Sequence, residues 1–239
     1  MTRLDVLITK SGLAESRQRA QALILAGKVR VAGETIRKPD RSVSEDADIS
    51  VETTPEYASR GALKLAPALD DLKIDPAGRI CADVGASTGG FTDVLLRRGA
   101  ARVYAIDVGR GLLHWRLRQD PRVVVIERLN ARELESFPEP VSLIVIDVSF
   151  IGLEKVLPAL RRAAPEAEVV ALFKPQFQVG RDEVGKGGIV RDQRAVEASL
   201  MRFREWCAEN GYEVRGESPA AVTGAGGNQE IFLHLIASR

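Results

Sequence analysis

Short apolar runs alternate with helical stretches from residue 79 to residue 209, and no other feature limits the fold of this chain as much. The runs typical of buried strands are Ile80–Val84, Arg102–Ile106, Val123–Ile126, Leu143–Ile146 and Val169–Phe173. The clearest helical stretches are Phe91–Arg98, Leu153–Arg162 and Ala195–Glu209. Strands buried on both faces are apolar throughout, and their alternation with helices predicts a parallel sheet that helices cover on both sides.

Two further strands are predicted near the end of the chain, at Tyr212–Glu217 and Ile231–Ile236. A glycine-rich stretch joins them instead of a helix, and consecutive strands without a crossover must be antiparallel. The sequence therefore predicts an α/β, Rossmann-like sheet that is mostly parallel and whose last strand is antiparallel.

The first part of the chain differs from the rest in charge. Residues 1–43 carry nine Lys or Arg against four Asp or Glu, whereas residues 44–56 carry five acidic residues and no basic one. We expect a small α+β domain at residues 1–52, a linker at 53–59 and the α/β domain at 60–239. Within the small domain, Ser16 is a predicted N-cap of a helix that ends at Gly27.

A basic module is the usual electrostatic signature of phosphate recognition, so we interpret the first domain as an RNA-binding unit. The candidate RNA contacts are Arg3, Arg17, Arg19, Lys28 and Arg30, together with Arg60, Lys186 and Arg191 in the larger domain.

The first predicted strand of the α/β domain leads into a glycine-rich loop at residues 85–92, where an open α/β sheet binds its ligand. Ser87 stands where the dinucleotide fingerprint requires its second glycine, and Asp83 would repel a pyrophosphate but suits a cationic ligand. These residues favour S-adenosylmethionine over NAD. We expect Gly89 and Gly90 to let the backbone approach the ligand closely. The candidate cofactor residues are Asp83, Gly85, Ser87, Thr88, Gly89, Gly90, Phe91, Thr92, Asp107, Asn130 and Asp147.

Four charged residues are predicted to meet at one edge of this sheet. Asp147 and Lys174 each follow a parallel strand, Glu230 precedes the antiparallel last strand, and Lys64 lies in a predicted helix before the first strand. The ends of the parallel strands and the start of an antiparallel one share an edge, so these side chains can converge. They are the candidate catalytic residues.

The chain resembles two known families over nearly its whole length. Residues 1–52 resemble an S4 domain, an RNA-binding module, through Arg3-Leu4-Asp5, Ser16-Arg17, Ala20 and the segment from Gly27 to Gly33. The order Lys64, Asp147, Lys174, Glu230 resembles the tetrad of the FtsJ-like ribose 2′-O-methyltransferases. The motifs that carry this are SRGALKL (59–65), DVGASTGGFT (83–92), IDVSF (146–150), FKPQFQVG (173–180), GKGGIVRD (185–192) and NQEIF (228–232). The combination resembles the TlyA (hemolysin A) family of ribosomal RNA methyltransferases.

The resemblance implies S-adenosylmethionine-dependent 2′-O-methylation of ribosomal RNA, with cytidine as the modified nucleotide and ribosomal RNA or ribosomal subunits as partners. It implies Lys174 as the base, Asp147 as the residue that steers it, and Lys64 and Glu230 as residues that position the nucleotide. Since Asp147 favours the charged form of Lys174, the lysine could instead act by positioning and electrostatics.

Composition adds expectations about location. No apolar run approaches the roughly 18 residues of a membrane span, and residues 1–12 do not have the pattern of a secretory signal. Cys81 and Cys207 show no metal-ligand spacing. We expect a cytoplasmic protein without metal and without membrane contact.

Several alternatives stay open at this stage. The chain could be a non-catalytic protein that binds ribosomal RNA and cofactor, a membrane-active hemolysin or a nicotinamide-dependent oxidoreductase. The loop from Gln176 to Arg191, rich in glycine and basic residues, fits equally a lid over the site and a simple connector. Trp115 is expected to be a core or cofactor-wall aromatic, with stacking on an RNA base as the alternative.

Overall fold

The computed structural model of this 239-residue chain describes residues 2–14, 16–51, 57–180, 183–224 and 226–238. It divides into two compact units, Met1–Glu56 and Tyr57–Arg239. Residues 53–56 of the expected linker lie outside the described residues. Ala58, which lies in the expected linker, is part of the second unit, and its backbone nitrogen donates a hydrogen bond to Asp93 Oδ2 at 2.8 Å. The expected boundaries at residues 52 and 60 stay predictions.

The first unit is a small α+β domain with two antiparallel sheets. Its elements are β1 (Thr2–Arg3), α1 (Leu4–Lys10), α2 (Arg17–Leu25), β2 (Val29–Val31), β3 (Glu34–Ile36), β4 (Ser42–Val43) and β5 (Ile49–Val51). β1 pairs with β4, and the other sheet has the order β3-β2-β5. The predicted N-cap is confirmed, since Ser16 Oγ accepts a hydrogen bond from the backbone nitrogen of Arg19. Gly27, with a φ of 73°, follows the helix end.

The second unit is a seven-stranded sheet between two layers of helices. Its elements are α3 (Ala62–Asp71), β6 (Ile80–Val84), α4 (Gly90–Arg97), β7 (Arg102–Asp107), α5 (Trp115–Arg118), β8 (Val123–Glu127), β9 (Leu143–Ile146), α6 (Leu157–Ala163), β10 (Glu168–Phe173), α7 (Gln193–Glu209), β11 (Tyr212–Pro219) and β12 (Ile231–Ala237). The strand order is β11-β12-β10-β9-β6-β7-β8. Neighbours from β10 to β8 are parallel, and β12 runs antiparallel to both β10 and β11. The predicted fold class is confirmed.

The apolar strands are buried because alternate side chains enter opposite cores. In β9, Leu143 and Val145 pack on the side of α3 and α4, while Ile144 and Ile146 pack on the side of α6 and α7. All four side chains are fully buried, and each such burial stabilises the fold by roughly 1.5–3 kcal/mol. This packing fixes where each strand ends, and thereby places the polar residues that follow the strands.

One predicted helix is broken into two pieces. The stretch expected to be helical at Leu153–Arg162 is a 3-10 turn at Leu153–Lys155 followed by α6. Pro158 lies in the first turn of α6, where a missing N–H group is tolerated. Because proline has no N–H group, it cannot donate the helical hydrogen bond to a carbonyl in the preceding turn, so the helix does not continue upstream. The expectation of one continuous helix was therefore wrong.

Candidate active site

Two lysine–carboxylate pairs lie at the edge where the parallel strands end. Lys174, directly after β10, has its Nζ 2.5 Å from Asp147 Oδ1, directly after β9. Lys64, in α3, donates a hydrogen bond to Glu230 Oε2 at 2.7 Å, just before β12. The side chain of Glu230 is only 2% exposed and that of Lys64 14%, so both charges depend on each other for compensation. The structure thus brings all four predicted catalytic residues to one sheet edge in two pairs.

Further polar groups connect these pairs. Gln176 lies in the 3-10 turn that follows Lys174, and its Nε2 is 3.5 Å from Glu230 Oε1. Lys174 Nζ also donates a hydrogen bond to Ser149 Oγ at 3.0 Å. Lys174 is therefore held from two sides, by Asp147 and by Ser149, which orients its amine.

Asp83, at the end of β6, has a buried carboxylate of which only one oxygen is hydrogen-bonded to the described residues. Its Oδ2 accepts hydrogen bonds from the backbone nitrogen of Thr92 at 2.8 Å and from Thr92 Oγ1 at 2.6 Å. Its Oδ1 is buried and has no hydrogen-bond partner among the described residues. Burial raises the pKa of Asp83 to about 7, the Thr92 hydrogen bonds oppose this, and the nearby charges of Asp147 and Asp107 add to it.

Two cavities of about 290 and 380 Å³ meet at this edge. Both are lined by Gly85, Ser87 and Asp147. The smaller cavity is also lined by Arg60, Lys64, Asp83, Thr88, Gly90 and Phe91, and the larger one by Asp107, Leu112, Leu129, Asn130 and Phe150. The arrangement is that of one elongated cleft with a charged half and a more apolar half.

The polar groups of the larger cavity are partly engaged by the backbone. Asp107 accepts hydrogen bonds from the backbone nitrogens of Ser87 at 2.8 Å and Gly109 at 2.7 Å, one on each carboxylate oxygen. Each oxygen keeps a second lone pair for a ligand. Asn130 Oδ1 caps the following 3-10 turn at Arg132, which leaves its amide NH₂ group for a contact.

The loop glycines are required by protein packing. A Cβ atom at Gly85 would meet the backbone carbonyl of Asp147, one at Gly90 would meet Ser59, and one at Gly89 would meet Leu117. Protein atoms thus occupy the Cβ direction at these glycines, so packing alone already excludes a larger residue there. The close approach of a ligand to the backbone of Gly89 and Gly90 stays a prediction. Gly90 still lines the smaller cavity, whereas Gly89 and Thr92 line neither cavity.

Sequence analysis missed Phe150 and Ser149, although both lie in the motif that begins with Ile146. Phe150 is 91% exposed and has a φ of 65°, which is strained for a bulky residue. Its ring centroid lies 5.2 Å from that of Phe177, whose ring lies 5.9 Å from Lys174 Nζ. The only available signal was position, three residues after the candidate catalytic Asp147.

Comparison with known proteins assigns the family. The profile of the FtsJ-like methyltransferase family matches residues 57–236, and that of the S4 domain matches residues 2–49. A Mycobacterium tuberculosis protein named 16S/23S rRNA (cytidine-2'-O)-methyltransferase TlyA is 49% identical over 98% of this chain and 89% of its own length. The chain belongs to the TlyA (hemolysin A) family of FtsJ-like methyltransferases.

Other members of the TlyA family match over the same extent. Hemolysin A of Brachyspira hyodysenteriae is 40% identical over 98% of this chain and 99% of its own length. A solved structure from Streptococcus thermophilus, described as a candidate hemolysin, superposes with a TM-score of 0.74 and 41% identity, covering 99% of this chain and 88% of the other. More distant methyltransferase structures at 13–16% identity share the fold of the FtsJ-like unit.

The predicted RNA contacts Arg3 and Arg17 of the S4 unit share a structural partner, Asp5. Asp5 is fully buried, and its carboxylate is bound by Arg3 at 3.1 Å, Arg17 at 3.0 Å and Gln21 at 2.8 Å. The hydrogen bond from Arg3 is the main reason that the pKa of Asp5 lies well below its usual range. The side chains of Arg3 and Arg17 remain about half exposed, so one face of each stays accessible.

The other predicted contacts differ in exposure. In the S4 unit, Arg30 is exposed and Arg19 and Lys28 are half-buried, whereas Lys186 and Arg191 of the FtsJ-like unit are exposed. Arg60, also exposed, lines the smaller cavity beside Lys64. Arg60 therefore shares a cavity with Lys64 and Asp147 of the tetrad.

Trp115 of the FtsJ-like unit does not lie where we expected it. Its side chain is 59% exposed, and it lines neither of the two cavities of the cleft. The interpretation as a core or cofactor-wall aromatic was wrong, because the buried positions around α5 are taken by Leu113 and Leu117.

Two kinds of feature are absent from the described part of the chain. No helix there combines the length and apolar character that crossing a bilayer requires. The same residues hold no group of three or more His, Cys, Asp or Glu side chains arranged to bind a metal ion.

Proposed function

We propose that this protein transfers a methyl group from S-adenosylmethionine to a ribose 2′-hydroxyl of ribosomal RNA, at a cytidine. The observation that carries the proposal is the pairing of Lys174 with Asp147 and of Lys64 with Glu230 beside the unpaired oxygen of Asp83. The name of the Mycobacterium tuberculosis relative supports the substrate and the nucleotide. We place the reaction in the cytoplasm, as expected for an enzyme that acts on ribosomal RNA.

The cleft fits S-adenosylmethionine better than a dinucleotide. The buried Oδ1 of Asp83 has no donor among the described residues, and it would accept a hydrogen bond from the cofactor's ammonium group. A pyrophosphate at the same place would meet the carboxylates of Asp83 and Asp147. In the larger cavity, Asp107 would accept from the ribose hydroxyls, while Leu129 and the Asn130 amide would contact the adenine. When bound, the cofactor supplies an electrophilic methyl group on a sulfonium.

Lys174 and Asp147 would act on the attacking hydroxyl. Lys174 Nζ can hold the 2′-oxygen by a hydrogen bond, and its charge stabilises negative charge that develops on that oxygen. In the ion pair the amine carries its protons, so it can accept the hydroxyl proton only after giving one to Asp147. We therefore assign Lys174 first to orientation and electrostatics, and as a base only by this relay.

The remaining groups would position the nucleotide. Lys64 and Arg60 line the charged cavity and would bind the phosphates next to the reacting ribose, while Glu230 fixes the amine of Lys64. Phe150 presents an exposed ring at the cleft and would stack on the target base. The S4 unit would supply further phosphate contacts, which set affinity more than the choice of nucleotide.

The deciding experiment is transfer from S-adenosylmethionine, labelled in the methyl group, to purified ribosomal subunits, followed by nuclease mapping of the labelled nucleotide. We expect label on a ribose 2′-oxygen of a cytidine. Label on a base would contradict the proposal. Cofactor binding without any transfer would support the non-catalytic RNA-binding alternative instead.

A further inference from the structure

An exposed aromatic pair at the start of α5 has no part in the chemistry proposed above. The rings of His114 and Trp115 are stacked, with centroids 6.0 Å apart and an angle of 30° between the planes. His114 Nδ1 accepts a hydrogen bond from the backbone nitrogen of Arg116 at 3.2 Å, which fixes the imidazole at the helix start. The pair thus forms a flat surface, open to solvent on the side of Trp115.

The aromatic pair is anchored to the cofactor loop. The backbone nitrogen of His114 donates a hydrogen bond to the carbonyl of Thr88 at 3.2 Å. Leu113 and Leu117, on either side of the pair, are buried against Gly89. Because these two leucines already attach α5 to the loop, the exposed ring of Trp115 is not required for packing.

The surroundings of the pair carry an excess of positive charge. Asp93 binds both Arg97 at 2.8 Å and Arg116 at 3.2 Å. Glu127 binds Arg118 and interacts at longer range with Arg110. The segment 108–118, which holds the pair, contains three arginines and no acidic residue. A flat aromatic ring next to positively charged side chains is suited to stack on a nucleobase while the charges bind the neighbouring phosphates.

We propose that the His114–Trp115 pair is a stacking platform for an unpaired base of the RNA substrate. This inference rests on the proposed function, since it adds a second RNA contact beside the reacting nucleotide. Leu112, three residues before Trp115, lines the larger cavity, so the platform lies beside the cleft. The arginines around it bind the phosphates, and the ring of Trp115 stacks on the base.

Tryptophan fluorescence tests the platform without any methyl transfer. The chain has two tryptophans, Trp115 and Trp206, and Trp206 is part of an internal stack with Phe203. We expect a short single-stranded oligocytidylate to quench the emission of the wild-type protein and to quench that of Trp115→Phe far less. Inorganic polyphosphate carries the charge without bases and should not quench. Equal quenching of both proteins, or quenching by polyphosphate, would overturn the proposal.

Kinetics on ribosomal subunits test the same platform in the working enzyme. Trp115→Ala should raise the KM for subunits about ten-fold, as expected for loss of one base stack, and leave kcat and cofactor affinity within about two-fold. Trp115→Phe should stay within about three-fold of the wild type, because it keeps a flat ring, whereas Trp115→Leu should behave like the alanine variant. Met201→Ala is the control, since Met201 is 58% exposed on α7.

The outcomes separate this inference from the proposed function. A Trp115→Leu variant with wild-type KM would show that an apolar contact, as with a protein partner, is sufficient and would overturn base stacking. Absence of methyl transfer by the wild-type protein would contradict the proposed function, and the fluorescence titration would still decide whether Trp115 stacks on RNA.

Discussion

At the scale of single residues, Asp83 has the environment that most clearly depends on a ligand. Its side chain is fully buried, one oxygen is bound by Thr92, and the other meets no donor in the part of the chain that the structure describes. A carboxylate in this state is costly to ionise, which explains why its pKa is raised to about 7. A cationic ligand would remove that cost, so protonation of Asp83 and cofactor binding should be coupled.

The first prediction concerns the stability of the ligand-free protein. Because the pKa of Asp83 is higher in the folded state than the roughly 3.9 of an unfolded chain, the folded state binds more protons between these values. The free energy of unfolding should therefore fall as the pH rises from about 4 to about 7, by a few kcal/mol in total. Asp83→Asn, which keeps an oxygen for Thr92, should lose this slope in urea unfolding at several pH values. An identical slope in both proteins would contradict the assignment.

Cofactor binding should show the opposite dependence on pH. S-adenosylmethionine should bind the wild type more tightly as the pH rises through about 7, because the ionised carboxylate accepts from the ammonium group. Asp83→Asn should bind weakly and with little pH dependence in calorimetric titrations. A wild-type affinity that is constant from pH 6 to pH 8 would argue against this contact.

Lys174 supports a prediction that separates chemistry from binding. Lys174→Ala should lower the methyl-transfer rate by at least about a thousand-fold, because it removes the group that holds the attacking oxygen. Cofactor affinity should change little, since neither cavity is lined by Lys174. Single-turnover transfer and calorimetry measure the two effects. A variant with full-rate turnover would exclude Lys174 from the mechanism.

At the scale of elements, Asn228 joins the glycine-rich segment 185–190 to the start of β12. Asn228 is buried, its Nδ2 donates to the carbonyl of Gly188 at 2.7 Å and its Oδ1 accepts from the backbone nitrogen of Val190 at 2.9 Å. Two residues further along, Glu230 binds Lys64. The segment that carries Lys186 is thereby fixed relative to the tetrad; Arg181 and Asp182, earlier in the same loop, lie outside the described residues.

Asn228→Ala should therefore distinguish a lid from a connector. The change leaves two backbone groups unpaired, so hydrogen exchange at Val190 should become about ten-fold faster or more. If the loop closes on RNA, kcat on ribosomal subunits should fall about ten-fold while cofactor affinity is retained. Asn210→Ala is the control, because Asn210 Nδ2 also donates to a backbone carbonyl, that of Trp206 at the end of α7. Faster exchange with unchanged turnover would identify the loop as a connector.

At the scale of the whole molecule, phosphate contacts in the S4 unit should determine affinity and its salt dependence. Replacing Lys28 and Arg30 together by alanine should weaken binding to ribosomal subunits and lower the slope of log K against log salt by roughly 1.4 to 1.8. Filter binding at several salt concentrations measures this. Arg215→Ala is the control, because Arg215 lies in the middle of β11 in the FtsJ-like unit and pairs with Glu213. An unchanged slope would remove these two residues from the interface.

The repeating pattern of the sequence determined the sheet. Runs such as Leu143–Ile146 are apolar at every position, which is typical of strands buried on both faces, and the polar residues after them are then expected at strand ends. The prediction that Asp147, Lys174 and Glu230 share one edge of the sheet followed from strand direction alone. These properties are local or depend on strand order, which is why a single sequence suffices to predict them.

Only the tertiary structure decided which groups meet. Lys64 and Glu230 are separated by 166 positions and pair because α3 packs beside the start of β12, which no periodicity can show. The glycines at 85 and 90 are required by Asp147 and Ser59, which are distant in sequence. Phe150 and Trp115 are apolar in the sequence yet exposed in the fold. Contacts of this kind depend on how distant elements pack against one another, so local sequence patterns cannot predict them.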